Sequence, residues 1–181
     1  LLDREPPPDY LREWTELLAQ RKESAPADAV SALVFRVGPE WLALKTALFL
    51  RIAPWKEIHL VPHRSGRILL GLVNVDGELL LCASLAGLLG LEAPPPSPAE
   101  AGAETTARLI VTAFNGERWA FPVDEVDAIR NESVSKMTPP PATVAMAAQS
   151  FTRSLFECDG KTAALLDEER LLEALRKSLK P

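Results

Sequence analysis

The chain has 181 residues, 47% of them hydrophobic and 25% charged, a composition that excludes a structureless tail and allows one or two globular domains. A formal charge of −5 with no dense Lys/Arg cluster lacks the basic face that phosphate neutralisation requires, so no nucleic-acid partner is expected. No apolar run, Ile68 to Val73 included, approaches the roughly 18 residues a bilayer-spanning helix needs, so no membrane insertion is expected either.

Residues 1–29 open on Pro6-Pro7-Pro8. Asp9 then caps a predicted helix whose stripe is Tyr10, Leu11, Trp14, Leu17 and Leu18, spaced at i, i+3, i+4 and i+7. Ala25-Pro26-Ala27-Asp28 cannot continue a helix and reads as a linker. This segment is either an appendage packed on the body or a docking helix for a partner. From Val30 the period changes to two: Leu33, Phe35 and Val37 alternate with Ala32, Val34 and Arg36. Gly38-Pro39-Glu40 then turns the chain into a strand-forming stretch from Trp41 to Ile52.

An extended piece, Glu57 to Val61, lies between Pro54 and Pro62, and a buried strand is predicted from Ile68 to Val75. Asp76-Gly77 joins it to Glu78 to Ala83 as a hairpin, and Leu85 to Leu89 forms a short helix stopped by Gly90. Residues 92–106 hold four prolines and no large apolar side chain, which predicts a flexible connector. Strands resume at Ala107 to Phe114, Trp119 to Ile129, Phe151 to Cys158 and Lys161 to Leu166, with turns at Asn115-Gly116 and Asp159-Gly160 and a loop at Pro139 to Pro141. The chain closes with a helix over 168–179, capped by Asp167 and carrying Leu171, Leu172, Leu175 and Leu179 on one stripe.

The two halves repeat. Leu42-Ala43-Leu44-Lys45 through Ile52 lines up with Trp119-Ala120-Phe121-Pro122 through Ile129, and Asn74-Val75-Asp76-Gly77 with Glu157-Cys158-Asp159-Gly160. Each half supplies about five short strands and a helix, which predicts a mainly β chain of two small barrels, about 30–91 and 107–167, packed as one domain over 30–181.

Catalytic patterns are missing from the sequence. There is no nucleophile elbow, no phosphate-cradling glycine loop and no His-Glu-x-x-His. His59 and His63 are four apart beside an extended segment, about 13 Å along a strand and too far to share one ion. Cys82 and Cys158 sit in apolar strands at similar places in the repeats and read as buried inert thiols. Asp124, Glu125 and Asp127 alternate faces and read as a solvated surface. Only Ser84, Asp127 or a histidine gathered in a cleft would favour an enzyme. No catalytic residue, metal or cofactor is expected, and a binding module remains.

Three stretches resemble the CheW coupling proteins of bacterial chemotaxis, a family that includes the regulatory domain of the CheA histidine kinase. They are Gly71-Leu72-Val73-Asn74-Val75-Asp76-Gly77 with the following Leu79-Leu80-Leu81 and Leu85 to Gly90; Ala43-Leu44 through Phe49 and Ile52 with Val61-Pro62; and Leu165-Leu166-Asp167. The resemblance implies two five-stranded SH3-like barrels and a non-catalytic scaffold in the cytoplasm. It would join the hairpin tip of a membrane-anchored chemoreceptor to the regulatory domain of a CheA-type kinase. The residues it points to as the binding surface are Phe49, Arg51, Gly71, Asn74, Asp76 and Gly77. For Gly71 and Gly77 a backbone role competes with recognition, and Asn74 can equally be a local cap of the hairpin.

The departures are as informative. The family usually carries Arg where this chain has Asp76, and Glu where it has Arg51, so an ion pair of reversed sign is expected. The family's Pro and Asp after the hairpin are replaced by Leu81 and Ser84. Together with the N-terminal helix, these differences make the chain similar to the WspD-type couplers of surface-sensing pathways that control a diguanylate cyclase. The alternatives are another CheW-like adaptor, a detached kinase regulatory domain or, from a different class, a small barrel binding single-stranded nucleic acid. The last lacks the interleaved aromatic and basic residues that such binding uses.

Overall fold

The computed structural model describes residues 28–93, 106–141 and 151–179. The predicted N-terminal helix and most of the predicted connector lie outside the described residues. Among these residues eleven strands run in chain order as β1 (Ala29–Val37), β2 (Glu40–Lys45), β3 (Phe49–Pro54), β4 (Ile58–His59), β5 (Leu69–Val75), β6 (Glu78–Ala83), β7 (Arg108–Phe114), β8 (Glu117–Val123), β9 (Glu125–Ser133), β10 (Thr152–Cys158) and β11 (Lys161–Leu166). Among the described residues two α-helices follow the hairpins: α1 (Leu85–Leu89) after β6, and α2 (Glu168–Ser178) after β11.

The strands form a five-stranded sheet in the order β10-β11-β2-β1-β9 and a six-stranded sheet in the order β3-β7-β8-β6-β5-β4. The second exceeds the expected five by the two residues of β4. The chain is mainly β, as predicted, but the strands do not divide at the connector. Each sheet draws on both halves: β1 and β2 pair with the late strands, whereas β7 and β8 sit among the early ones.

Two short turns make this exchange. Trp41 to Ile52 is not one strand, because a 3-10 turn at Thr46–Leu48 carries the chain from β2 in the first sheet to β3 in the second. In the second half the stretch from Trp119 to Ile129 likewise breaks at Asp124, between β8 and β9.

The repeat nevertheless holds at the level of register. Each sheet has one parallel ladder, pairing Ala164 with Leu42 in the first and Leu81 with Trp119 in the second. In the repeat alignment Leu42 corresponds to Trp119 and Leu81 to Ala164, so the two ladders are the same contact made twice.

Hairpin chemistry sets the turns. Asp76-Gly77, Asn115-Gly116 and Asp159-Gly160 are two-residue loops with both central φ values positive, between 47° and 86°, the twist that right-handed strand pairs demand. Ser84 and Asp167, counterparts in the repeat, are the N-caps of α1 and α2. Ser84 accepts from the Gly87 N–H, and Asp167 from those of Glu169 and Arg170.

Burial falls into three cores. One lies inside each sheet, and the third, containing Phe35, Leu44, Trp119, Phe121 and the buried leucines of both helices, joins the two. The inner cores correspond position by position. Val73, Leu80, Leu109 and Cys82 of one are equivalent to Phe156, Ala163, Ala32 and Leu165 of the other. Two of these exchanges enlarge the side chain and two shrink it, so both interiors stay filled, as close packing requires.

Candidate functional site

The β5–β6 hairpin presents the densest group of residues singled out from the sequence. Asn74 accepts the Gly77 N–H through Oδ1 at 2.8 Å, so its side chain caps the turn. Arg51 arrives from β3, at the far end of the sheet order from β5. Its Nη2 donates to the Val75 carbonyl at 3.1 Å, and its Nη1 stands 3.3 Å from Asp76 Oδ2. The sheet is therefore curled until β3 reaches the β5–β6 hairpin near its other end.

The expected Arg51–Asp76 pair is part of a larger network. Arg51 Nη2 is also 3.5 Å from one oxygen of Glu78, whose other oxygen receives Arg118 Nη1 at 2.5 Å. Two cations and two carboxylates thus alternate across the hairpin base. Arg51 is 38% exposed and Asp76 67%, so solvent screens the pair and its contribution to stability is at most about 1 kcal/mol.

Arg51, Asn74, Asp76 and Gly77 come together in this way. Phe49 and Gly71 do not belong to the charged group. Phe49 is half-buried against the joint core. Gly71 is buried beneath β4, where a Cβ would lie 2.2 Å from the His59 carbonyl oxygen. Glu78 and Arg118 are the residues that sequence reasoning missed. Each occupies one of the first two places after a two-residue turn, and only the parallel pairing of β6 with β8 brings them together.

The other sheet closes in the same style. Arg130 of β9 hydrogen-bonds Asp159 at the equivalent hairpin and Asp127 at 3.0 Å, while Lys161 lies 3.5 Å from Asp127 and 3.8 Å above the Trp41 ring. The hydrogen bond from Arg130 holds the Asp127 carboxyl below the usual carboxylate range, helped by the nearby Lys161 charge. Asp124 accepts from the Gly38 N–H at 2.6 Å and Glu125 pairs with Arg36 at 3.2 Å. The acidic run is therefore a set of strand ties rather than the solvated surface expected. Ser84, spent as a helix cap, and Asp127 lie in separate parts of the fold, and His59 and His63 are exposed. Among the described residues no group of three His, Cys, Asp or Glu side chains could hold a metal ion.

Cys82 and Cys158 are both buried and free. They are not counterparts: Cys82 of β6 corresponds to Leu165, and Cys158 of β10 to Val75. Burial pushes the Cys82 thiol up from 9.0 to about 12 and raises Cys158 as well. The thiolate is the reactive form, so native Cys82 should react with a thiol reagent at least about a hundredfold more slowly than in the unfolded chain, and Cys158 should be slowed as well. A thiol titration with and without denaturant measures this, and native reactivity at the free-thiol rate would contradict the buried placement. Folded Cys82 also keeps a proton that the unfolded chain releases. Its contribution to stability is accordingly complete below about pH 9 and declines as pH rises toward 12.

Apolar side chains are also presented to solvent: Leu50, Ile52, Leu60 and Leu79 from the second sheet and its loops, and Ile129 and Val134 from the first sheet and the turn after it. Among the described residues no helix is long and apolar enough to cross a membrane. The arrangement offers charged turns, strand edges and isolated apolar contacts, the means of a surface that binds other proteins.

Comparison with known proteins agrees with this architecture. Residues 31–176 match the CheW-like domain. Comparison with curated proteins gives no significant match. Among solved structures the chain is similar to the scaffolding protein TtCheW from Thermoanaerobacter tengcongensis, with a TM-score of 0.65 and 18% identity over 80% of this chain and 88% of that one. At that identity the likeness is one of fold.

Proposed function

The chain belongs to the CheW-like family of coupling scaffolds in chemotaxis-type signal transduction, and from that membership we propose that it joins a chemoreceptor's cytoplasmic hairpin tip to the regulatory domain of a CheA-type histidine kinase. In this reading it is a cytoplasmic, non-catalytic protein working beside membrane-anchored receptors, and its specificity resides in the surface around Arg51, Asn74, Asp76 and Gly77. The observation that carries the reading is the match over nearly the whole described chain. The Arg51–Asp76–Glu78–Arg118 network supports the placement of the recognition surface, because alternating exposed charges select partners more than they stabilise a fold.

The reversed sign of Arg51 and Asp76 supports a dedicated receptor in place of a general chemotaxis receptor. With the N-terminal extension, it supports assignment to the WspD-type couplers of a surface-sensing pathway ending in a diguanylate cyclase. The test is to mix the full chain with a receptor signalling-domain fragment and a kinase regulatory-domain fragment from the same pathway and follow the assembly by light scattering. A ternary complex that neither fragment pair forms alone is expected. Binding to neither fragment would leave a double-barrel protein without a coupling role.

A further inference from the structure

We propose that the amphipathic segment from Asp9 to Leu18 docks, within the same molecule, into an apolar cavity on the first sheet, where it supplies the cover that α2 gives to the second. The cavity measures about 300 Å³ and opens beside β2, β11 and the end of α1. The proposal holds whether or not the chain bridges a receptor and a kinase.

The repeat shows why the cavity exists. Its wall residues Leu42, Thr152, Thr162 and Ala164 correspond to Trp119, Leu69, Leu79 and Leu81 on the second sheet. Four smaller side chains thus stand where the other copy has larger ones. The helices differ in the same sense. α1 stops after five residues, with Gly90 at a φ of 72°, whereas α2 runs for eleven. Leu172 and Leu175 of α2 pack in one core with Trp119, and Arg176 in its last turn donates to Glu117 at 2.8 Å. Glu117 is the counterpart of Glu40, which sits at the cavity. On the first sheet the described chain therefore lacks the turn equivalent to 173–176, and the space it would cover is lined by Trp41, Leu89 and Leu155.

The first 27 residues contain the matching piece. Tyr10, Leu11, Trp14, Leu17 and Leu18 fall on one stripe at helical spacing, about 12 Å from Tyr10 to Leu18 at helical rise, with Arg12, Glu13 and Glu16 left for the solvent face. Nine residues separate Leu18 from Asp28, a reach of about 33 Å when extended. The path to cover runs back along β1 from Asp28 to Arg36, the partner of Trp41 in the ladder, about 26 Å. The linker is long enough for its own chain to close the cavity.

Two measurements on the full chain test this. A photo-crosslinking p-benzoylphenylalanine at Thr162, an exposed residue at the cavity, should give an intrachain link to residues 9–18. A link to residues 142–150, a link to a second copy, or no link to the N-terminal segment would overturn the proposal. In the variant Trp14→Glu with Leu17→Glu, amide exchange at Trp41–Leu42 and Leu89–Leu91 should speed up about tenfold, while strands of the second sheet stay unchanged. Unchanged exchange at both places would also overturn it.

Discussion

Replacing Gly71 with alanine is expected to destabilise the protein by about 2–5 kcal/mol, the sum of a glycine-only backbone conformation and an overpacked contact. Its φ is 149°, and the added Cβ would lie 2.2 Å from the His59 oxygen and 2.9 Å from the His59 carbonyl carbon. Both are backbone atoms, which cannot swing aside as a side chain could. The relief open to the chain is to release β4, losing the Ile58–Val73 and His59–Leu72 pairing and withdrawing Ile58 from the inner core of the second sheet. Gly77 is the control. Its φ is 86° but nothing lies within 4 Å of an added Cβ, so Gly77→Ala meets only the positive-φ penalty, about 1–2 kcal/mol. Urea unfolding of the two variants separates them, and equal losses would show that the β4 contact imposes no constraint. The comparison also divides recognition from folding. A binding defect in Gly77→Ala can be assigned to the turn, whereas one in Gly71→Ala follows from the lost strand.

Why the repeat was legible, and the strand exchange was not, follows from what each depends on. Register within a hairpin is set locally by Asp76-Gly77, Asn115-Gly116 and Asp159-Gly160, and alternation of apolar residues survives in one sequence. Which half a strand joins depends on where a short turn sends it. Thr46–Leu48 contains no glycine or proline and continues the alanine and leucine of the strands around it, so the crossing between sheets carries no compositional mark. The sequence also suggested the wrong equivalence for its cysteines. Chemical likeness drew Cys82 to Cys158, whereas backbone register matches each to an aliphatic residue of compensating size.

The candidate site was legible in part, for a related reason. Arg51, Asn74, Asp76 and Gly77 were marked by the hairpin and by family resemblance, and they meet. Glu78 and Arg118 carry ordinary surface charges 40 positions apart. Nothing local announces their contact, because it depends on a parallel ladder between the two halves. Phe49 and Gly71 were marked by the resemblance, and the first turns toward the core while the second supports β4.

Reversing Asp76 to arginine or Arg51 to glutamate is expected to leave the fold within about 1 kcal/mol of the native chain, since both side chains are partly exposed. Each change should weaken binding to the native receptor fragment by about tenfold to a hundredfold, the range in which a misplaced interfacial charge acts. The double variant Arg51→Glu with Asp76→Arg distinguishes a structural pair from a recognition surface. Arginine at position 76 would again face an opposite charge at 51, so part of the stability loss should return. The recovery is incomplete, because glutamate at 51 would still oppose Glu78, now 3.5 Å from the Arg51 guanidinium. A double-mutant cycle in urea should therefore show a coupling of about 0.5–1 kcal/mol. Receptor affinity should not return with it, because the partner would meet the two charges in exchanged positions. Kinase-fragment binding in the same variants tells whether the hairpin serves one partner or both. If the double variant binds the native receptor as well as the unmodified chain does, Arg51 and Asp76 hold the hairpin to β3 and take no part in choosing the partner.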